Sequence, residues 1–355
     1  LDRSSAASDV YKRQGLEMNM TTTGMPLSRR AALMSIAAVG LTGCASRAGQ
    51  GGRHLGALFA GNVADHGFMQ SGFEGYQRAL ADFPFTGRYI DQIAPKPELL
   101  AEALTRLAQG ESGLVVAHGG QNNGAAMEVA QRFPEVQFVV TQGNVKGANL
   151  SSYEVLQEQS AWLAGALAAL TTRTGVVGHM SGIRVVPGLK GRAAFVDGVK
   201  AVNPQIRVLT NFSGNQDDNA LSKRVAAAQI KAGADVIFTM LNAGRQGAID
   251  ACREAGVRQI GNVVDWTRRD PDVFIASAIA DVSQAVYQAA SDYAKGSWKH
   301  GVVKQIGLEN ESAVRLALGQ GVPESVAAKV RQLAAEIVSG QRHVAIEYTG
   351  PEFSL

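Results

Sequence analysis

The sequence predicts an α/β protein of two lobes, each built on a doubly wound parallel β-sheet, with a ligand cleft between the lobes. Three observations lead to this fold class. Apolar runs of strand length alternate with helical patterns, these runs are apolar at successive positions, and the whole alternation occurs twice. Strands that are apolar on both faces are typical of parallel sheets covered by helices on each side. The loops after such strands gather at one edge of a sheet, so two facing sheets place them around a cleft.

The predicted strands are short apolar runs separated by turn residues and helical patterns. They comprise residues 55–60, 88–93, 113–118, 136–141, 175–180, 206–212, 235–240, 259–264 and 273–280. The predicted helices carry apolar residues at i, i+3, i+4 and i+7, and several end at Gly or Pro. They comprise residues 72–83, 97–110, 125–133, 159–175, 192–204, 220–234, 246–257, 283–295 and 323–338.

The two sets of strands and helices give the expected domains. We expect lobe 1 at residues 54–151 and lobe 2 at residues 152–278, with the polar segment "GNVKGANLSS" (143–152) between the two sets. Residues 279–355 are expected to cross back to lobe 1 and to end in a C-terminal helix and strand.

The N-terminal segment has the composition of a targeting signal rather than of a folded domain. Residues 1–17 begin without Met and are interpreted as a mis-called upstream extension. Residues 18–43 contain "SRR" and then the short apolar run "AALMSIAAVG", which predicts a secretory signal peptide. The apolar run is too short to span a bilayer as a helix.

The signal ends in "LTGC", which resembles the lipobox of bacterial lipoproteins. This resemblance implies a diacylglycerol group on Cys44, a tether at residues 44–53, and a lipid-anchored protein on the extracytoplasmic side of the cell envelope. The pair Arg29-Arg30 resembles a twin-arginine signal, so export by the general or the twin-arginine route stays open. The second cysteine, Cys252, lies on a helical apolar face and is expected to be buried.

Composition excludes some partners. The chain is 46% hydrophobic and 18% charged over 355 residues, which suits two domains with large cores. Residues 44–355 carry 29 Lys and Arg against 28 Asp and Glu. This balance leaves no basic field to bind nucleic acid or an anionic membrane.

A search for catalytic motifs finds none. The six histidines form no HExxH motif and no cluster with cysteine, and the chain contains no GxSxG, Walker A or GxGxxG motif. We therefore expect a protein that is not an enzyme and that has no metal site and no cofactor.

The loops after the strands carry amides, one or two carboxylates and two aromatic residues. This mixture suits a flat, neutral ligand that stacks on aromatic rings and is read at its edge by amides. It suits a phosphorylated ligand poorly, because no glycine-rich helix start or set of basic residues converges there. The candidate ligand-binding residues are Asp65, Phe68, Met69, His118, Gln121, Asn122, Gln142, Asn242, Asp265 and Trp266.

Most candidates also have an interpretation without a ligand. Asp65 is a possible helix cap, Phe68 a hydrophobic staple and Met69 a core residue. His118 is a possible polar loop residue, and Asn122, Gln142 and Asn242 are possible turn residues. Trp266 is a possible packing residue at the lobe edge. Arg184, Arg245 and Arg268 are expected to be solvated or to bridge the lobes.

Long stretches of the chain resemble one protein family. "SAWLAGALAALTTRTGVVGHMSG", "FVDGVKAVNPQIRVLTNFSGNQDDNALSKRVAAAQIKAGADVIF" and "AIDACREAGVRQIG" are similar to the basic membrane protein (PnrA-like) family of ABC-transporter substrate-binding lipoproteins. "ADHGFMQSGFEGY" (64–76) is similar to the D-x-S-F-N segment of that family. The resemblance covers residues 57–295 or so.

The resemblance implies a type I periplasmic-binding-protein fold, with two lobes joined by three crossover strands that close on a ligand. It also implies a monomer that delivers purine nucleosides or nucleobases to a permease with two ATPase subunits. Phe68 then stacks on the base, and Asp65 matches the acidic residue of the same loop.

The chain departs from the family pattern at several site positions. Met69 stands in place of Asn, and Thr141-Gln142 stands where an Asp meets the base edge. "NVVDWT" replaces V-D-S-D-Q, and Ala280 lies near the position of a Lys. These changes weaken the expected ribose contacts, so nucleobase and nucleoside both stay open. A ligand-sensing signalling lipoprotein and a nucleoside-processing enzyme are the alternative functions.

Overall fold

The computed structural model describes residues 53–65, 67–110 and 113–355. The predicted extension at 1–17, the predicted signal peptide at 18–43, the lipid site at Cys44 and nearly all of the tether lie outside the described residues. Among the described residues, no helix combines the length and the apolar composition that crossing a membrane requires.

Two six-stranded sheets form the framework. The first consists of β1 (Arg53–Phe59), β2 (Phe85–Ile90), β3 (Leu114–His118), β4 (Gln137–Thr141), β5 (Leu150–Val155) and β11 (Val303–Ile306), in the order β11-β5-β4-β3-β1-β2. The second consists of β6 (Val176–Ser181), β7 (Arg207–Phe212), β8 (Val236–Met240), β9 (Arg258–Val263), β10 (Phe274–Ala280) and β12 (Val314–Leu318), in the order β12-β10-β9-β8-β6-β7. Neighbouring strands are parallel except for β10 and β12. The prediction of two parallel-sheet lobes is confirmed.

Nine α-helices of the described residues cover the sheets. They are α1 (Phe68–Asp82), α2 (Pro97–Ala108), α3 (Asn123–Arg132), α4 (Gln157–Thr171), α5 (Val186–Val202), α6 (Asn219–Lys231), α7 (Arg245–Ala255), α8 (Ser283–Ala294) and α9 (Glu324–Val338). Helices α1 and α8 pack against each other in lobe 1, and α4 packs on α5 and α9 in lobe 2. Gly165 of α4 and Gly198 of α5 let these two helices approach so closely that a Cβ at either position would collide with the partner backbone.

The chain passes between the lobes three times. The passages run from β5 to α4, from β10 to α8, and from β11 to β12. The expected lobe boundary at residues 151 and 152 falls inside β5, so the first sheet continues to Val155. Residues 150–152, the last part of the expected polar segment, belong to a strand because β5 pairs with β4 on one side and with β11 on the other.

The segment after α9 lies along lobe 2 and forms no strand within residues 340–355. Its Phe353 amide donates to the carbonyl of Thr210 in the outermost strand, β7, at 2.9 Å. Glu352 pairs with Arg184 at 2.6 Å and with the buried Arg192 at 2.5 Å. The tail therefore covers part of an exposed sheet edge, which is a common protection against strand pairing with other chains.

Candidate functional site

Phe68 lies at the edge of lobe 1, where it is the first residue of α1. The preceding Asp65 fixes this helix start, because its carboxylate accepts hydrogen bonds from the backbone amides of Gly67, Met69 and Gln70 at 2.8, 3.1 and 3.0 Å. Negative charge at a helix N-terminus is favourable. Asp65 thus caps the helix, and its carboxylate holds the loop that presents the half-buried Phe68.

His118 lies directly under Phe68. The two rings are stacked with centroids 4.2 Å apart and an interplanar angle of 23°. His118 has no exposed surface, and its Nε2 lies 3.0 Å from the carbonyl oxygen of Phe68. The expected direct ligand contact of His118 is therefore not what the structure shows, because Phe68 and α1 cover the imidazole. Burial lowers the pKa of His118 to about 4.

Asn122 and Gln121 follow His118 in a single 3₁₀ turn. The Asn122 side chain is fully buried, and its amide donates to the carbonyls of His118 and Gly119 at 3.0 and 2.9 Å. Its Oδ1 is buried without a hydrogen-bond partner. Gln121 is exposed and makes one long contact of 3.4 Å to the His118 carbonyl. Asn122 therefore forms the turn, while Gln121 has a free surface at this edge.

Met69 packs inward rather than toward an open face. It is half-buried against the apolar core of lobe 1, and its Cγ would lie 3.0 Å from a Cβ placed on Gly61. Met69 therefore acts as a core residue that supports the end of β1.

Gln142 holds the first passage between the lobes. Its Oε1 accepts from the Val155 amide at 2.6 Å, and its Nε2 donates to the Val155 carbonyl at 3.2 Å. These bonds secure a residue whose φ of 54° is uncommon outside glycine. Gln142 thus ties the end of β4 to the end of β5, two residues before α4 begins at Gln157.

Lobe 2 offers a small recess at the carboxyl ends of its central strands. It lies between these strand ends and the first turn of α4, and we call it the lobe 2 recess. Its lining is mainly apolar with three amide or hydroxyl side chains, and consists of Gln157, Ser160, Ala161, Phe238, Met240, Asn262, Val263, Ala278 and Ala280. The sequence did not predict these three polar residues as site residues, because Gln157 and Ser160 lie at a helix start and Asn262 lies inside a strand.

Trp266 packs within lobe 2. Its ring lies 5.4 Å from that of Phe274, with the guanidinium of Arg245 4.7 Å from the ring centroid. Its Nε1 donates to the carbonyl of Asn262 at 3.2 Å. The alternative of packing at the lobe edge describes this arrangement. Trp266 does not line the lobe 2 recess but bonds to Asn262, which does.

Asp265 and Asn242 occupy neighbouring loops of lobe 2. Asp265 accepts from the amide and hydroxyl of Thr267 and pairs with the exposed Arg268 at 3.2 Å. Asn242 is exposed, and its backbone amide donates to the carbonyl of Gln216 at 3.0 Å. Asp265 therefore caps a short turn, and the Asn242 side chain stays available at the surface.

Arg245 is buried, contrary to the expectation of a solvated or lobe-bridging residue. It donates to the Leu241 carbonyl and to Asn262 Oδ1, the latter at 2.6 Å. Burial, together with the charge of the nearby Arg269, lowers the pKa of its guanidinium to about 9. The buried guanidinium of Arg245 thus holds the side chain of Asn262, which lines the lobe 2 recess.

An ionic cluster between the lobes was missed from the sequence. Lys190 of α5 pairs with Glu154 of β5, in the other lobe, and lies 3.4 Å from Glu158 of α4. Burial raises the pKa of Glu158. Burial alone would lower the pKa of Lys190, but its hydrogen bond with Glu154 and the charge of both carboxylates raise it. The only sequence signal was the spacing of Glu154 and Glu158, which predicts nothing about a partner in α5.

The described part of the chain holds no group of three or more His, Cys, Asp or Glu residues placed to bind a metal ion. Cys252 is buried as expected, and burial raises the pKa of its thiol to about 12.

Two parallel-sheet lobes with three passages of the chain between them define the two-lobed type I periplasmic-binding-protein fold. A solved structure with this fold, an ABC-transporter solute-binding protein from Aeropyrum pernix K1, superimposes with a TM-score of 0.69 at 21% identity and covers 84% of this chain and 94% of that chain.

Residues 53–344 match the family model of the ABC transporter substrate-binding protein PnrA-like family, and the chain belongs to this family. The family consists of extracytoplasmic receptors of transport systems, not of enzymes. A purine-binding protein of Brucella abortus is 23% identical over 249 residues, 70% of this chain and 69% of that protein. A transcriptional activator, Med, of Bacillus subtilis is 22% identical over 262 residues, 74% of this chain and 81% of that protein.

Proposed function

We propose that this protein is a lipid-anchored receptor of an ABC importer that binds a purine nucleobase or nucleoside between its lobes. The observation that carries the proposal is the position of Phe68. Its aromatic ring is half-buried at the carboxyl edge of lobe 1, supported from below by His118 at 4.2 Å. A fixed ring at such an edge is suited to stack on a flat heterocycle. The similarity to a purine-binding protein supports the same ligand class.

The lobe 2 recess supplies the opposite surface in this proposal. Its lining combines apolar side chains with the amides of Gln157 and Asn262. Amides both donate and accept, so they suit the alternating donors and acceptors on the edge of a purine. A ligand that contacts both lobes stabilises the closed form by the free energy of the additional contacts that it makes in that form. Closure then presents the surface that a permease recognises.

The lipid anchor is proposed from the sequence "LTGC" alone. Replacing the predicted attachment residue, Cys44→Ser, should abolish incorporation of radiolabelled palmitate and release the protein from the membrane fraction. Incorporation that persists in this variant would refute the anchor without affecting the proposed ligand.

The ligand class is tested by thermal unfolding of residues 45–355 in the presence of single compounds. We expect purine bases or purine nucleosides to raise the melting temperature, because a ligand that binds the native state stabilises it by mass action. Sugars and amino acids serve as controls. A shift with sugars or amino acids alone would overturn the purine proposal. The pattern among bases and nucleosides decides which of the two is bound.

Phe68→Ala tests the stacking surface. We expect it to weaken purine binding by about 1–3 kcal/mol, measured by calorimetric titration. Phe85→Ala is the matched control, because this half-buried phenylalanine begins β2 at the opposite edge of the same sheet. The control should lower stability and leave the affinity unchanged. Equal affinities of the Phe68 variant and the parent protein would assign Phe68 to packing only.

One comparison favours a second function. Because a relative is a transcriptional activator, a receptor that signals ligand binding to another protein is the alternative to transport. Uptake of labelled purine by cells with and without the gene separates the two. Loss of uptake supports transport, and unchanged uptake with altered gene expression supports signalling.

A further inference from the structure

The orientation of Phe68 depends on a residue that lies beneath it. Phe68 begins α1, so the turn before it has no helical hydrogen bonds to restrain its position. Asp65 holds the backbone of this turn, and two contacts from His118 restrain Phe68 itself. The imidazole stacks on the phenyl ring at 4.2 Å, and Nε2 lies 3.0 Å from the carbonyl oxygen of the same residue.

The hydrogen bonds of His118 define one tautomer. A carbonyl oxygen only accepts, so Nε2 carries the proton and donates to the carbonyl of Phe68. Nδ1 then accepts from the hydroxyl of Thr141, at 2.7 Å. Thr141 lies directly opposite His118 in the neighbouring strand β4. Both ring nitrogens are therefore satisfied, and the plane of the imidazole is fixed.

Helix α1 approaches this imidazole closely. A Cβ at Gly72 would lie only 2.5 Å from Nε2 of His118, so a glycine is required in the first turns of the helix. His118 has no exposed surface and cannot contact a ligand in the cleft while α1 keeps this position. The ring of Phe68 lies against the imidazole, and the ring of the buried Phe59 lies 5.7 Å from it.

We infer that His118 is a positioning residue: it orients the Phe68 ring through stacking and through the bond to the Phe68 carbonyl, and so sets ligand affinity without touching the ligand. This inference rests on the proposed function, because it needs a ligand that stacks on Phe68.

A double-mutant cycle tests the inference, with adenine and adenosine as probes in calorimetric titrations. His118→Gln keeps a donor for the Phe68 carbonyl but removes the ring, whereas His118→Phe keeps a ring but removes the donor. Each should weaken binding by about fivefold or more when Phe68 is present. In the Phe68→Ala background, the same changes should alter affinity by less than about twofold, because there is no ring left to position.

Two further variants separate an effect on Phe68 from a general effect on folding. Thr141→Val removes only the hydroxyl that donates to Nδ1, and it should give a smaller loss of affinity that also vanishes in the Phe68→Ala background. His179→Gln replaces the other fully buried histidine, which lies in lobe 2, and should leave affinity unchanged.

The outcomes distinguish the inference from the proposed function. Equal losses of affinity with and without Phe68 would show that His118 does not act through Phe68 and would overturn the inference alone. Unchanged affinity of both His118 variants would overturn it as well. If the unmodified protein binds neither these probes nor any other purine base or nucleoside, the proposed function is wrong and the inference fails with it.

Discussion

Two buried histidines, one in each lobe, have similar surroundings in their sheets and different connections beyond them. His118 of β3 and His179 of β6 each lie opposite a threonine of the adjacent strand, and each directs Nδ1 to its hydroxyl, at 2.7 and 2.9 Å. The Nε2 atom of His118 reaches a backbone carbonyl at the start of α1. That of His179 reaches Ser181 in its own strand, at 3.1 Å.

This difference shows how one local arrangement can serve either packing or positioning. A carbonyl fixes the tautomer of His118, whereas the two hydroxyls around His179 can each donate or accept, so they fix none. His179 is enclosed by the rings of Phe195 and Phe238, each 5.9 Å away, and belongs to the interior of lobe 2. His118 joins the interior of lobe 1 to a residue at the cleft edge.

The largest expected effect is on stability, and it concerns lobe 2. His179→Ala removes a fully buried ring from an aromatic environment and should lower the free energy of unfolding by about 3 kcal/mol. Urea unfolding measures this change. Purine affinity of the folded variant should stay within about twofold of the parent value, because His179 itself does not line the lobe 2 recess and meets its Phe238 ring at a centroid distance of 5.9 Å. A parallel loss of affinity would mean that both histidines serve the cleft.

A second effect concerns acid stability and applies to both histidines. Burial lowers the pKa of His118 to about 4 and that of His179 to about 3, the latter helped by the charge of Arg192. An unfolded histidine has a pKa of about 6.5, so below this pH the unfolded chain binds more protons. Their contribution to stability is therefore fully present above pH ~6.5 and is lost as the pH falls toward 4.

The expected slope is up to about 1.4 kcal/mol per pH unit for each histidine. His118→Gln and His179→Gln should each reduce the slope of unfolding free energy against pH, measured between pH 6.5 and 5, above the range in which most carboxylates titrate. A slope that neither substitution alters would mean that these imidazoles are protonated in the native protein.

The smallest effect extends the comparison to the loops of the two lobes. Val263 of lobe 2 and Gln142 of lobe 1 both have positive φ, 70° and 54°. Gln142 is secured by two hydrogen bonds to Val155, but a β-branched residue in this region is strained. Val263→Gly should therefore raise the free energy of unfolding by about 1 kcal/mol. Gln142→Gly should lower it through the loss of both bonds.

Val264→Gly is the matched control for this experiment. Val264 has nearly the same exposed fraction as Val263, 39% against 38%, without a positive φ. The control should be destabilised by about 1 kcal/mol, since glycine adds freedom to the unfolded chain. Equal effects at the two valines would contradict the strain at Val263.

The sequence predicted the alternating elements of both lobes well but missed three strands. β5 and β11 are rich in polar residues, as in "LSSYEV" and "VKQI". The periodic apolar signal is weakest for such strands. β12, "VRLAL", is apolar but pairs antiparallel with β10, outside the alternation of parallel strands and helices. The predicted strand at 88–93 was displaced from Phe85–Ile90 because most of β2 is exposed.

The sequence predicted which loops carry the candidate residues but not the direction of their side chains. Position after a strand places these candidates at the carboxyl ends of the strands. The sequence did not reveal that Met69 and Trp266 face inward, because an apolar residue in a loop is compatible both with packing into the core and with contacting a ligand. The ion pair between Lys190 and Glu154 joins residues far apart in the chain, and no local pattern encodes such a contact.

The passages between the lobes also determine when the protein can finish folding. The first sheet begins at Arg53, yet its outer strand β11 ends at Ile306, and α8, which packs on α1, precedes β11 by only a few residues. Strand β12, which completes the second sheet, is synthesised after the other five strands of that sheet. A ribosome therefore releases most of the chain before either sheet is complete. Such long-range parallel pairing makes folding slow, so the unfinished first lobe must avoid aggregation for much of its synthesis.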